Sequence, residues 1–296
     1  MSYIKASIVI NTKDRISRLH TVLKALEGQV DNSVEVILVF DGCEDETLNT
    51  YSKINFSYPI TEIVSKKNVG RSASRNLGAK KAKGEIIIFI DDDRVPCRNF
   101  VKMHIEGHKE PCILLGNRKD IHMMEYKLEK MMLSQEELYS FLDDMESNAT
   151  IAFDSHDKLL RKLLFFRYNP IIWIVFYTGN VSLERESLLK AGLFDENFKG
   201  WGYEDLELGY RLYKQKIKFV KSHAAVSYHL THEISVSNML EEALKNLKYF
   251  SKKVKGDILA KLVIFLLAVP LYLRIFQRYF IRTSFLKGKP ESKDTH

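Results

Sequence analysis

Five consecutive apolar residues, Ile86-Ile87-Ile88-Phe89-Ile90, run straight into three carboxylates, Asp91-Asp92-Asp93, and this junction restricts the fold more than any other stretch. β-Branched and aromatic side chains without polar alternation predict a strand buried on both faces, as found inside a helix-covered parallel sheet. Acids at the end of such a strand sit at the carboxyl edge of an open α/β sheet, where ligands bind. Alternation along an extended chain puts Asp91 and Asp93 on one side and Asp92 on the other. Two carboxylates on one side repel unless a cation lies between them. Hard oxygen ligands of this kind suit Mg²⁺ or Mn²⁺ shared with substrate phosphates. The alternative reading of the same residues is an acidic surface turn.

The flanking segments fit such a sheet. Residues 6–10, 34–40 and 60–64 read as strands. Ile16, Leu19, Val22, Leu23 and Leu26 recur at helical spacing, with Asp14 as the expected N-cap. Residues 70–83 predict a small-residue helix with Ala73, Leu77 and Ala79 inward, ended by Gly84. Strands alternating with helices argue for an α/β fold with a mainly parallel sheet. Asp41 closes the second strand as the Asp triplet closes the later one, so both are expected to line one crevice. Residues 97–109 read as helix, 113–116 as a strand, and about 121–168 as a helical insertion in which Ser134 and Glu137 form a capping box. Neither a GxGxxG fingerprint nor a Walker lysine loop is present, which counts against dinucleotide-dependent dehydrogenases and P-loop enzymes.

A second constellation follows a strand at 178–183 and a helix at 186–191. Gly200-Trp201-Gly202-Tyr203-Glu204-Asp205 allows a sharp turn and close approach to a ligand, and its two acids open a helix carrying Leu206, Tyr210 and Tyr213 inward. Helix-dipole capping is the other reading of Glu204 and Asp205. His229, in Ser227-Tyr228-His229-Leu230-Thr231-His232, is either a metal ligand or a hydrogen-bonded strand residue, and His232 is a second candidate.

Thr12, Asp41-Gly42, Asn68-Val69-Gly70-Arg71-Ser72-Ala73-Ser74-Arg75-Asn76, Asp91-Asp92-Asp93 and the Gly-Trp-Gly-Tyr-Glu-Asp block occur in the order found in family 2 glycosyltransferases. The chain resembles that family, with its GT-A fold, from residue 6 to about 232. The last block is also similar to that of galactosyl- and N-acetylgalactosaminyltransferases. The resemblance implies that Thr12 and Asp41 hold the uracil and ribose of a UDP-sugar, and that Arg71 and Arg75 lie on the segment approaching the nucleotide. It further implies that Asp91, with Asp92 beside it, faces nucleotide and sugar, that Asp93 and His229 bind Mn²⁺ or Mg²⁺, and that Asp205 is the general base. Glu204 then serves the acceptor hydroxyls, with Trp201 and Gly202 at the acceptor. The expected reaction is an inverting transfer of a hexose or N-acetylhexosamine to a glycan, lipid-linked or peptide acceptor. The chain departs from the usual family residues at Asn11, Lys13 and Phe40, which bears on base recognition. Competing readings are a sugar-nucleotide nucleotidyltransferase, whose N-terminal glycine-rich loop is missing, and a non-catalytic glycan-binding protein on the same fold.

Charge separates the chain into a catalytic domain over 1–234 and a basic helical tail over 235–296. Eleven Lys or Arg and one acid lie between Lys245 and Lys289, which leaves 34 basic and 37 acidic residues elsewhere. Leu240, Leu244, Leu247 and Val254 share a helical face, and an apolar run over 262–273 is too short for the ~20 residues that span a bilayer. Arg274, Arg278 and Arg282 recur every fourth residue beyond it. This pattern predicts peripheral membrane contact, with a helical hairpin packed on protein as the alternative. No nucleic-acid-binding motif accompanies the charge. Three cysteines without CxxC spacing, and no leader-like N-terminal segment, lead to the expectation of a reducing, cytoplasmic setting at the inner face of the membrane.

Overall fold

The computed structural model describes residues 3–121, 134–148, 151–153, 158–159, 162, 169–231 and 236–271. Much of the expected insertion, His232, and Arg274, Arg278 and Arg282 lie outside the described residues.

In chain order the elements are β1 (Ala6–Thr12), α1 (Ile16–Ala25), β2 (Val34–Asp41), α2 (Asp45–Tyr51), β3 (Ile60–Ser65), α3 (Arg71–Lys81), β4 (Ile86–Ile90), β5 (Arg94–Pro96) and α4 (Phe100–Gly107). They continue with β6 (Cys112–Ile121), α5 (Gln135–Ser147), β7 (Ile151–Phe153), a 3₁₀ turn (Ile172–Val175), β8 (Asn180–Glu184), α6 (Arg185–Lys190), α7 (Glu204–Lys214), β9 (Lys218–Leu230) and α8 (Val236–Lys253). A last helical run, α9, covers 258–271.

The strands form one sheet in the order β3-β2-β1-β4-β8-β6-β9-β5, with β7 on β6. β1, β2, β3 and β4 are mutually parallel. β8 then runs antiparallel to both β4 and β6. β6 and β9 pair in parallel, and β5 is antiparallel to β9. Every residue of β4 is buried, as its unbroken apolar run requires. Parallel pairing brings the carboxyl ends of β1, β2 and β4 to one edge, so Thr12, Asp41 and Asp91 sit there together.

Two helices differ from expectation. Asp14 does not cap α1: it adopts φ 53°, and its Oδ1 accepts from the Glu44 amide (2.8 Å) and the Thr47 hydroxyl (3.1 Å) at the start of α2. In α3, which packs on β1 and β2, the buried positions are Ser72, Ser74, Arg75, Asn76, Gly78 and Ala79, while Leu77 is turned outward. The small residues let the helix approach the sheet closely, and the polar ones have partners waiting. Asn76 donates to the Phe194 carbonyl and accepts from the Phe194 amide, both at 2.9 Å.

The capping box at Ser134 and Glu137 opens α5. The chain divides into two compact units: residues 1–199 with 204–234, and residues 200–203 with 235–296. In the second, the Trp201 amide donates to Glu242 of α8 (2.9 Å), and Asn246 donates to the carbonyls of Trp201 (3.3 Å) and Gly202 (2.9 Å). Leu240, Ala243, Leu247, Phe250 and Val254 are buried along one side of α8 and its end.

Candidate active site

β4 stops at Ile90, and Asp91-Asp92-Asp93 form a turn before β5 rather than an extension of the strand. The expected alternation is therefore lost. Asp92 and Asp93 share one cation, Arg15, while Asp91 faces another, Arg75. Arg15 Nη1 lies 2.9 Å from Asp93 Oδ2 and 3.4 Å from Asp92 Oδ1. Thr12 is buried, and its hydroxyl donates to Asp92 Oδ2 (2.7 Å). Burial, with Asp93 alongside, pushes Asp92 up to about 7 against the pull of Arg15 and Thr12. A carboxyl so placed takes up a proton unless positive charge stays close.

Arg75 is the hub of the other cluster. Its Nη2 lies 3.2 Å from Asp91 Oδ1, and its Nη1 lies 3.1 Å from Glu204 Oε1 and 3.3 Å from Asp205 Oδ1. The acids of the β4 turn and those opening α7 therefore meet on one guanidinium. Glu204 and Asp205 are taken up by this contact, and Asp205 also accepts from the Thr178 amide (3.2 Å) and hydroxyl (3.1 Å). Burial raises Asp205 to about 6; Arg75 opposes the rise, while Glu204 and Asp91 add to it. Gly179 packs against Asp91 and Arg94, where a Cβ would come within 2.8 Å of Asp91 Oδ2 and 2.7 Å of Arg94 Nε.

His229 is placed by sheet register: it pairs with Arg94 of β5 and with Asp120 of β6. Its Nδ1–H donates to Asp120 Oδ1 (3.0 Å), leaving Nε2 facing Asp93 Oδ2 at 3.8 Å. A carboxylate behind the imidazole and a second carboxylate in front of it is the arrangement that orients a metal-binding histidine. The donor set of Asp93 and His229 therefore fits a divalent ion such as Mn²⁺, at a place where the Arg15 guanidinium already supplies positive charge.

Asp41 is committed to the chain itself: it accepts from the amides of Val69 (2.7 Å) and Gly70 (3.1 Å) and so fixes the turn into α3. Arg71, the first residue of α3, is exposed. Trp201 is 37% exposed. Sequence reasoning did not single out Arg15, Asp120 or Thr178. Arg15 stands three residues after Thr12, and that proximity to a sheet-edge position was its one visible signal.

A family model described as "Glycosyl transferase family 2" matches residues 7–166, and one described as "Glycosyltransferase like family 2" matches residues 116–265. The uncharacterized glycosyltransferase YfnE of Bacillus subtilis is 28% identical over 278 residues, which cover 84% of this chain and 70% of that protein. The chain spans only about a quarter of the length of the hyaluronan and chondroitin synthases of Pasteurella multocida that it also matches. Staphylococcus aureus TarS 1–349 in complex with UDP-GlcNAc superposes with a TM-score of 0.59 at 16% identity, covering 98% of this chain and 78% of that one. GalNAc-T7 with UDP, GalNAc and Mn²⁺ gives 0.55 at 17% identity, covering 83% and 48%. These likenesses show the fold: a GT-A-type α/β sheet flanked by helices.

Proposed function

The chain belongs to glycosyl transferase family 2, and from that premise we propose that it moves a hexose or N-acetylhexosamine from a UDP-sugar to a hydroxyl of a glycan, lipid-linked or peptide acceptor, inverting the anomeric carbon. One observation carries this reading. A single buried arginine, Arg75, ties Asp91 of the β4 turn to Glu204 and Asp205 of α7, so the acids assigned in this reading to donor and acceptor meet on one guanidinium.

In this reading Asp205 accepts the proton of the acceptor hydroxyl. The acceptor oxygen bonds to the anomeric carbon from the face opposite UDP, and the bond to the β-phosphate oxygen breaks with its electron pair. A carboxylate raised to about 6 is a stronger base than a free one and remains ionised at neutral pH. Thr178 and Arg75 hold it in one orientation, and Glu204 is fixed beside it for the acceptor. Asp91 and Asp92 serve the donor, with Thr12 and Asp41 shaping the nucleotide end. Of Arg71 and Arg75, Arg71 is the one exposed at the start of α3, and it is assigned to the nucleotide. Mn²⁺ or Mg²⁺ held by Asp93 and His229 would stabilise the negative charge that develops on the diphosphate. The UDP and Mn²⁺ named for the GalNAc-T7 structure support this donor class, and the Gly-Trp-Gly turn leads us to assign Trp201 and Gly202 to the acceptor.

A thermal-shift panel of nucleotide sugars with Mn²⁺ tests the reading. A donor at a hundredfold its Kd stabilises the folded protein by about 2.7 kcal/mol. Stabilisation by UDP-sugars but not by GDP- or CMP-sugars is expected; indifference to all of them sinks the proposal.

We also propose that the second unit meets a membrane surface. No described helix is long and apolar enough to cross a membrane. Along α9, Ile258, Leu262, Phe265, Leu266 and Val269 share one face and are 38–83% exposed. Exposed Lys252, Lys253, Lys255 and Lys261 lie in or near it in a segment of strong positive excess. An apolar face bordered by lysines is what an anionic lipid interface binds. Co-flotation with anionic but not neutral vesicles, lost on Phe265→Glu, is the expected result. Vesicle-independent dimerisation through the same face would instead assign it to a second copy.

A further inference from the structure

Away from the Asp clusters, a continuous polar ladder crosses the inside of the sheet. Asn180, Ser182 and Glu184 alternate along β8 and so share one face. His104 and His108, four residues apart on α4 and its end, interleave with them. His104 Nε2 is 2.9 Å from Asn180 Oδ1, and its Nδ1 is 2.8 Å from Ser182 Oγ. His108 Nε2 is 2.7 Å from the same Ser182 Oγ, and its Nδ1 is 2.7 Å from Glu184 Oε1. Gly116 makes room for the ladder, since a Cβ there would overlap the Asn180 amide.

The protons of this ladder can be placed one at a time. Asn180 Nδ2 faces the carbonyls of Asn117 (3.2 Å) and Ala225 (3.0 Å), so the amide orientation is fixed and Oδ1 is the atom facing His104. That acceptor requires a proton on His104 Nε2. His104 is fully buried, which pushes its imidazole down to about 3 and keeps it neutral. Its Nδ1 is therefore bare and accepts the Ser182 hydroxyl proton. Ser182, having spent its only proton, must accept from His108 Nε2–H. His108 Nδ1 is then left with a lone pair pointed at a carboxylate oxygen only 2.7 Å away. Two acceptors at that distance need a proton or a metal cation between them.

We propose that the charge is a thiophilic divalent metal ion, Zn²⁺ being the natural choice, held by His108 Nδ1, Glu184 and Cys112 Sγ. Cys112, buried at the start of β6, brings its sulfur within 3.8 Å of His108 Nδ1. The three ligand atoms all lie within 4.8 Å of one another. Bonds of ~2.0–2.3 Å to a tetrahedral Zn²⁺ put neighbouring ligand atoms about 3.2–3.7 Å apart, so the His108–Glu184 pair (2.7 Å) opens and the Cys112 sulfur moves inward when the ion binds. Ser182 supplies the acceptor behind the imidazole that metal-bound histidines use. Glu184 pairs with Ile86 at the start of β4, whereas Asn180 pairs with Ile90 beside Asp91. The ion therefore fastens α4, β6 and β8 at the sheet end remote from the catalytic turn. The imidazole–thiolate–carboxylate set is softer than the oxygen-rich Asp93 site, so the two select different ions. A proton in the same place would make His108 an imidazolium and leave Cys112 a bystander.

Full-length protein stripped with chelator and reloaded with Zn²⁺ or Co²⁺ alone decides between metal and proton. One equivalent of Zn²⁺ is expected to survive gel filtration, and to do so equally in Asp93→Ala. The Co²⁺ form should show a thiolate-to-cobalt charge-transfer band, lost in Cys112→Ser but retained when Cys43 or Cys97 is replaced. Ser182→Ala should weaken Zn²⁺ by ~10–100-fold. Absence of that band in the wild-type protein, with Cys112 alkylated equally fast with and without Zn²⁺, overturns the proposal whatever the variants do.

Discussion

Two arginines hold the acids of the cleft, and they do so under different conditions. The Arg75 side chain is 7% exposed and touches three carboxylates; the Arg15 side chain is 35% exposed and touches two. Inside the protein, a charge without its partner is costly, so Arg75 and its acids behave as one unit that must stay assembled. Arg15 reaches water while Asp92 and Asp93 are buried, so the acids need a cation but Arg15 itself can give way to another one. On the proposed function, the first cluster is a fixed support for the base. The second is a seat for positive charge that a divalent ion can share when a diphosphate arrives.

The hardest test of this contrast is Asp205→Asn. It keeps shape and burial but removes the base, and a fall of ~10²–10⁴-fold in turnover is expected with UDP-sugar affinity preserved. Lost donor binding with unchanged turnover would move Asp205 to the donor side. Arg75→Met should come next. Leaving three carboxylates without their cation should cost about 3–5 kcal/mol of stability by denaturant melting. Arg75→Lys should recover part of it, because an ammonium keeps the charge but not the fork of donors. A loss below about 1 kcal/mol in Arg75→Met would show that the buried cluster is no more coupled than a surface pair.

The apolar skeleton of this arrangement was readable from residue pattern, because an uninterrupted run such as Ile86–Ile90 has one comfortable place in an α/β sheet. The two arginine hubs were not. Counting helical faces by hydrophobicity turned Ala73 and Leu77 toward the sheet, whereas the structure buries Arg75 and Asn76 there and turns Leu77 outward. Tertiary partners, three acids and the Phe194 backbone, outweigh side-chain polarity at those positions. Alternation likewise failed at Asp91-Asp92-Asp93, because the strand had already ended and a turn obeys no period of two. The polar ladder was invisible for a related reason: Asn180, Ser182 and Glu184 looked like an ordinary half-buried strand until α4 supplied His104 and His108 opposite them.

The pH dependence separates the clusters further. With Asp205 at about 6, kcat/KM should fall about tenfold per pH unit below that value and level off above it, since the ionised carboxylate is the form this reading requires. Arg75 pulls this value down, so in Arg75→Lys or Arg75→Met the acid limb should move to higher pH. Arg15→Gln should leave the limb in place, because Arg15 touches Asp92 and Asp93 and not Asp205. A limb shifted equally by both replacements would mean that the cleft titrates as one body.

The smallest expected effect is on stability in Arg15→Gln, and it bears most directly on how the two hubs differ. Water reaches the Arg15 guanidinium, and Asp92 can take up a proton in its place, so the melting midpoint should move less than in Arg75→Met. Mn²⁺ affinity should respond more, because Asp92 and Asp93 lose a cation that competes for the same oxygens while Thr12 and His229 remain in place. Tighter Mn²⁺ binding by calorimetry, together with weaker retention of UDP in the absence of metal, is the outcome expected of a shared seat for positive charge. Unchanged Mn²⁺ affinity would make Arg15 a strut like Arg75, differing from it only in how much water it sees.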